Sequence, residues 1–285
     1  MSSFLEYDKN LIDSAMDSAL ISESDHFNLI VEAMRYSALG GKRLRGILTI
    51  EFAKMFGCSV EEAMPYAVAV ECIQAYSLIH DDLPCMDDDD MRRGQPSCHI
   101  AFGEANALLA GDALLTHAFS AISESKSAEK YPERAIKAIK CLSNFAGFRG
   151  MVGGQVLDLE AAEKEVDGKT LWLIHKLKTG ALIKSAVLMG CCAAGADENL
   201  CKLSEKYAEE FGFAFQIIDD ILDFDGNYET CELNSYVKVH GIEKAREDAL
   251  AHIESANKVL SDFNEKGLSS DNFKYLLDFL IKRMK

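Results

Sequence analysis

Two stretches of this chain are apolar on nearly every side and yet carry acidic residues, a pattern that leaves few ways to fold. From Tyr66 to Asp82 almost every position is apolar or small, and the polar exceptions Glu71, Gln74, Ser77 and Asp81 fall at i, i+3, i+6 and i+10, close to one helical stripe. From Phe211 to Phe224 apolar residues cover most of the cylinder, broken by Gln216, Asp219, Asp220 and Asp223 on one face. A helix apolar all round is buried. Buried carboxylates are very costly unless paired or metal-bound. The two acidic stripes therefore line a polar cavity inside a helical bundle, where bundle metal sites are commonly built.

The first stripe runs into an acidic cluster. Six of the ten residues from Asp81 to Asp90 are aspartates, and Arg92 and Arg93 follow. Adjacent carboxylates repel unless a cation sits among them. Mg2+ takes oxygen ligands, usually one or two carboxylates plus substrate phosphates. Two acidic clusters flanked by basic residues point to one cavity that holds a diphosphate through metal ions. Pro84 restricts Leu83 away from the helical region and breaks the helix, which turns Asp87 back toward Asp81. Two blander readings stand beside this one. Asp87 to Asp90 is also what a solvated acidic loop looks like, and Asp219 to Asp223, with Gly226 close behind, is also what a helix end dipping into water looks like.

The chain has 285 residues, 48% of them hydrophobic, enough for a sizeable core. Its formal net charge of −16 argues against nucleic acid or an anionic membrane as main partner, so an anionic substrate must be met by a local basic patch or by metal. Only four prolines occur, and apolar residues recur at three and four over 28–39, 63–80, 103–122, 134–148, 170–193, 200–224 and 242–260. No alternating strand pattern, linker or fixed repeat divides the chain. The expectation is one all-α domain over 1–285, with ten or more helices around a central cavity. No run approaches 18 uninterrupted apolar residues and Met1 to Asn10 has no apolar core, so neither a membrane span nor a signal peptide is expected. Nine cysteines without a CxxC pair read as reduced thiols in a cytoplasmic protein and disfavour a zinc site.

Five ordered motifs carry a family resemblance. The run Ile79-His-Asp-Asp-Leu-Pro-Cys-Met-Asp-Asp-Asp-Asp-Met-Arg-Arg-Gly94 resembles the first aspartate-rich motif of the short-chain trans-polyprenyl diphosphate synthases, nearest to the bacterial farnesyl diphosphate synthase branch. Gly40-Gly-Lys-Arg-Leu-Arg45, Gly154-Gln155 with Asp158 and Leu159, Lys178-Thr179-Gly180, and Phe215-Gln-Ile-Ile-Asp-Asp-Ile-Leu-Asp223 resemble the family's remaining motifs, in order. The resemblance implies an antiparallel helical barrel around a deep cavity, usually as a homodimer. The implied reaction adds isopentenyl diphosphate to an allylic diphosphate, dimethylallyl or geranyl, with release of inorganic diphosphate.

Carried over residue by residue, the resemblance implies that Asp81 and Asp87 ligate Mg2+ from one wall and Asp219 from the other, with Asp82 and Asp223 in support, three ions in all with bound diphosphate. It implies Arg92 on the allylic diphosphate, and Lys42, Arg45, Arg93 and Gln74 on isopentenyl diphosphate. It also implies Lys178, Thr179 and Gln216 near the breaking bond. Without the other motifs, Lys42 and Arg45 read equally well as a surface basic turn.

Two departures stand out. Gln74 occupies a position where the family usually has His. Gly226 to Tyr236 is short and lacks the family's lysine, with Leu233 about where it would fall. One lost charged contact is worth roughly 1.5–3 kcal/mol, about ten- to over a hundredfold in affinity. Tyr76, with Ser77 beside it, lies five residues before Asp81, so about 7.5 Å along the helix axis. A growing chain meets that ring, which resembles the C15 type; the plain alternative is a core aromatic. Rival readings are a geranyl or geranylgeranyl diphosphate synthase, a class I terpene cyclase and an inactive subunit of a prenyl synthase.

Overall fold

The computed structural model describes residues 3–22, 24–162 and 164–284. Helices account for almost all of the regular structure: α1 (Ser3–Ala19), α2 (Asn28–Ala38), α3 (Leu44–Met55), α4 (Val60–Asp81), α5 (Cys98–Phe102), α6 (Glu104–Ser123), α7 (Lys126–Lys130), α8 (Pro132–Ala146), α9 (Met151–Ala161), α10 (Gly168–His175), α11 (Ala181–Ala194), α12 (Glu198–Asp223), α13 (Tyr236–His240), α14 (Ile242–Glu265) and α15 (Asp271–Arg283). A single π-helical turn, Lys176–Gly180, joins α10 to α11 without a break.

Local chemistry sets the ends of the two acidic helices. Ser59 caps α4 by accepting from the Glu62 amide at 3.2 Å, in a Ser-x-x-Glu context. Asp197 caps α12 by accepting from the Asn199 and Leu200 amides at 2.8 and 2.9 Å. Gly195, in the left-handed region at φ 68°, ends α11.

α11 is the centre of the bundle. It packs on α3, α8, α12 and α4, and Leu182, Ile183, Ala186, Val187, Met189 and Cys191 are all fully buried. Gly190 lets α3 close in, because a side chain there would lie 2.5 Å from the Thr49 carbonyl oxygen. Thr49 Oγ1 in turn donates to the Ala186 carbonyl at 2.8 Å. Among the described residues, only the run Gly168–Ala194 is long and apolar enough to cross a membrane, and 56% of its most apolar window is buried inside the bundle, as a core helix requires. An aromatic cluster of Phe52, Tyr207, Phe263 and Phe273 ties α3 to α12, α14 and α15, with the Phe52 and Phe273 ring centroids 4.4 Å apart.

All seven stretches with helical spacing are helices. A two-stranded hairpin, β1 (Met91–Arg92) and β2 (Gln95–Pro96), is the strand pair among the described residues and leaves the all-α class intact. Its loop residues Arg93 and Gly94 both have positive φ, 54° and 78°, which is the geometry of a tight hairpin turn and not of an alternating strand pattern. The spacing did not single out α3, which is buried on most sides and has little amphipathic period. Nor did it single out α1, whose inward face interrupts the apolar residues Leu5, Ile12 and Met16 with Asp8.

Asp8 is 1% exposed, and among the described residues neither carboxyl oxygen has a hydrogen-bond partner, Lys54 Nζ standing 3.8 Å from Oδ2. Burial, and then the neighbouring Glu51, push it up to about 7, against an opposing pull from Lys54. A carboxyl whose folded pKa lies above its unfolded value stabilises at low pH and loses that contribution as pH rises, here from about pH 4 to about pH 7. Asp8→Asn should therefore match the parent chain near pH 4 and exceed it at pH 8 by about 1–2 kcal/mol, after the opposite shift of Glu51 is set against it. Urea unfolding at the two pH values checks this.

Candidate active site

The C-terminal end of α4 builds the first acidic wall. After Asp81 the chain breaks at Leu83-Pro84 and folds back, so that the Asp87 amide donates to the Asp81 carbonyl at 2.9 Å and the Asp88 amide to Leu83 at 3.2 Å. Pro84 thus does what the sequence led us to expect. Asp81 and Asp87 come together, and neither side chain has a hydrogen bond or ion pair among the described residues. Burial, with Asp87 and Asp82 adding repulsion against the pull of Lys178 and Arg92, raises the Asp81 carboxyl to about 6. Asp82 is different. Its side chain is 3% exposed and is held by the Arg92 guanidinium, with Nε 2.9 Å from Oδ1, while Arg92 also reaches Asp89 at 3.1 Å. The hairpin aims this arginine, and Tyr36 anchors the hairpin by donating its hydroxyl to the Pro96 carbonyl at 2.7 Å.

A basic pocket lies beside this wall. Arg43, in the left-handed region at φ 57°, is buried and donates to Asp13 at 2.6 Å and to Glu71 at 3.4 Å. Glu71 also accepts from the Gly46 amide at 2.7 Å, which pins the start of α3 to α4. Arg43 and Glu71 are therefore scaffold. Gly41 leaves room for a cation to lie on the turn, since a side chain there would sit 3.3 Å from Arg93 Nη2. Burial, and then Arg43, hold the Arg93 guanidinium below its ordinary range. Arg45 Nε is buried with no hydrogen-bond partner among the described residues, and Lys42 is exposed. Cations gathered with an unsatisfied buried N–H, in a chain of net charge −16, have the chemistry to take an anion without a metal.

α12 forms the opposite wall. Asp219 pairs with Arg283 of α15 at 2.9 Å, and burial raises its carboxyl against that pull. Asp223 is exposed at the helix end. The sequence places Asp220 on the same face as these two, and the structure corrects this. Successive residues turn about 100° on a helix, and Asp220 points to α10 and α13. There it accepts from the Tyr236 amide at 2.5 Å and Gln216 Nε2 at 2.9 Å and lies 3.6 Å from His175 Nε2. Burial raises it to about 7.

The π turn carries side chains toward both acidic helices. Extra residues in a helical turn re-aim side chains and recur at functional sites. Lys178 donates to Asp158 of α9. Burial works against its ammonium, but Asp158, Asp81 and Asp87 outweigh that and hold it above the ordinary lysine range. Thr179 Oγ1 donates to Gln216 Oε1 at 2.7 Å. Lys178, Thr179 and Gln216 thus meet between the two walls. The short segment after α12 docks here as well, since Asn234 Nδ2 donates to Asp158. Lys238, the next lysine along the chain, turns away to the Tyr228 carbonyl at 2.6 Å and does not replace the one missing at Leu233.

Tyr76 is 6% exposed and packs edge-on against His80. Ser77 donates to the Gln74 backbone carbonyl at 3.1 Å, and the Gln74 side chain is half-buried. Among the described residues no three aspartates, glutamates, histidines or cysteines close on one point as a preformed metal site would. The donor set still suits a hard divalent cation, because Asp81 and Asp87 offer unpaired oxygens and diphosphate oxygens complete such a shell.

Sequence reasoning gave no role to Asp158, Asn234 or Arg283. Asp158 was legible in its Gly-Gln-x-x-Asp-Leu motif. Asn234 and Arg283 carry no local signal.

A profile of the polyprenyl synthetase family matches residues 27–235. The chain is 46% identical over 268 residues to farnesyl diphosphate synthase of Escherichia coli, covering 90% of each, and 37% identical to that of Bacillus subtilis, covering 99% and 98%. Among solved structures it resembles a Zymomonas mobilis FPP/GFPP synthase at a TM-score of 0.84 and 38% identity, covering 92% of each chain. It also resembles a Legionella pneumophila geranyltransferase at a TM-score of 0.88 and 31% identity, covering 98% and 96%. The chain belongs to the polyprenyl synthetase family.

Gly154 lets α9 touch the π turn. A side chain there would fall well inside van der Waals contact of the Lys178 amide. Gly154→Ala should destabilise the fold by about 1–3 kcal/mol through overpacking and displace Lys178, weakening binding of magnesium diphosphate. Thermal unfolding and calorimetric titration read the two effects separately.

Proposed function

We propose that this chain is a prenyltransferase that condenses isopentenyl diphosphate with dimethylallyl or geranyl diphosphate, giving mainly farnesyl diphosphate. One observation carries this reading. The chain carries two groups of different chemistry, the unpaired carboxylates Asp81 and Asp87 beside Lys178, and the cations Arg45 and Arg93 with only Glu71 close to both. A cyclase acting on a single diphosphate has no use for the second. An inactive subunit is disfavoured because both acidic walls are intact.

Asp81, Asp87 and Asp219, with Asp82 and Asp223 behind them, would hold the Mg2+ ions, three with bound diphosphate. Bound magnesium supplies positive charge against the charge that grows on the leaving diphosphate. The chain's own groups do the rest. Lys178 and Arg92 meet the departing diphosphate with charge-assisted hydrogen bonds. Thr179 Oγ1 and Gln216 Oε1 face the allylic cation with oxygen lone pairs. Lys42, Arg45 and Arg93 hold isopentenyl diphosphate so that its double bond lies within reach of that cation, and Gln74 adds an uncharged N–H donor. No side chain in the cavity is placed as the final base, which fits proton removal by the released diphosphate.

Exposed apolar residues on α6 (Leu108, Leu109) and α9 (Val152, Val156) support a homodimer through these helices. Nine free cysteines fit a reducing cytoplasm.

Purified chain incubated with Mg2+, isopentenyl diphosphate and either allylic primer should yield a C15 alcohol after dephosphorylation, and a chelator should abolish it. Tyr76→Ala should lengthen the product. An unchanged distribution would remove Tyr76 as the floor. Lys178→Ala should cut kcat roughly ten- to a hundredfold, the worth of one charged hydrogen bond, in steady-state assays at saturating substrates.

A further inference from the structure

The π turn that presents Lys178 and Thr179 to the cavity presents its other residues to a second one. Lys176, Leu177 and Gly180 line a separate pocket of about 170 Å³ on the outer side of the bundle, walled by α8, α11 and α12. The two cavities share a single turn of backbone. Phe145 and Phe213 give the outer pocket apolar sides. Its inner end is polar, because His175, whose side chain is 7% exposed, lines it, and the Nδ1 atom of that ring is buried without a hydrogen-bond partner. Burial lowers the His175 pKa to about 4, so the ring is neutral at pH 7, with one nitrogen a donor and the other an acceptor.

The rim is basic in a strongly acidic chain. Arg149 lies over the Phe148 ring at 5.1 Å and Lys176 over the Trp172 ring at 4.5 Å, and neither has a carboxylate partner among the described residues. Lys137 and Lys140 line the adjoining groove, which shares Asn144, Phe145 and Arg149 with the pocket. Lys184 alone is neutralised, by Glu209. An apolar cavity with a buried unpaired imidazole at one end and unpaired cations at the mouth matches a small apolar body with a doubly charged oxyanion head.

We propose that this outer pocket is a regulatory site for a small apolar phosphate ester, and that its occupant acts on catalysis by shifting the π turn that carries Lys178. The coupling half rests on the reading of Lys178 as a diphosphate-binding residue. The binding half does not. Because the shared wall is one turn, a ligand that moves Leu177 or Gly180 moves Lys178, and the effect is reciprocal between the sites.

The test uses 1-naphthyl phosphate as probe, with calorimetry in the absence of substrate. The expected result is one site per chain, lost in Arg149→Glu and kept in Arg149→Lys, with naphthalene and 1-naphthoate binding at least tenfold more weakly. Arg149 is exposed and lies outside the catalytic set, so both variants should keep the parent's condensation rate without probe. Bound probe should change the affinity of magnesium diphosphate at least threefold in the parent and not in Arg149→Glu. Absence of probe binding at millimolar concentration, binding that Arg149→Glu leaves intact, competition with diphosphate in that variant, or an unchanged diphosphate affinity would each overturn the proposal. The linkage is read by binding alone, so it stands or falls separately from the condensation assay that tests the catalytic reading.

Discussion

The burial of carboxylates between helices is the constraint on which the rest depends. Removing a carboxylate from water is expensive unless something compensates it, and this chain compensates its buried aspartates in different ways. Asp82 has Arg92, Asp158 has Lys178 and Asn234, and Asp219 has Arg283. Asp220 has backbone and amide donors and a pKa raised to about 7. Asp81 and Asp87 have none of these, and the Asp81 carboxyl is left raised to about 6. The unpaired pair is where the proposed cation and diphosphate would supply the missing compensation. Asp158 and Asp220 belong to the frame around it, and Asp82 and Asp219 are the paired members of the proposed cation site.

That frame is tied to the fold by extensive helix packing and, at two close approaches, by glycines. Gly154 brings α9 against the π turn, and Gly190 brings α11 against α3. Arg43 reaches Asp13 on α1 and Glu71 on α4, while Glu71 accepts from the start of α3. The basic turn is consequently fixed from three helices. Lys42, Arg45 and Arg93 can then remain unpaired without the turn losing its shape.

The π turn belongs to two environments at once. Its inward residues are held by Asp158 and Gln216, and its outward residues line a pocket whose buried histidine faces Asp220 on the same α12 wall. A regular α-helical turn would give one residue fewer over the same span. The extra residue lets one short segment face both Asp158 and Gln216 on one side and the outer pocket on the other.

The sequence by itself determined the helical class, the seven main helices, the two acidic walls and the break that folds Asp87 back on Asp81. These follow from spacing and from proline chemistry, which act within a few residues. It also determined the family, through five ordered motifs. Only the tertiary structure decided which aspartates are free. Asp219 and Asp220 are neighbours with the same side chain, and one helical step sends them into different surroundings. Arg283 reaches Asp219 from the other end of the chain, and Asn234 reaches Asp158 across 76 positions. Pairing of this kind depends on which helices touch and on how each is rotated, and no local pattern encodes that.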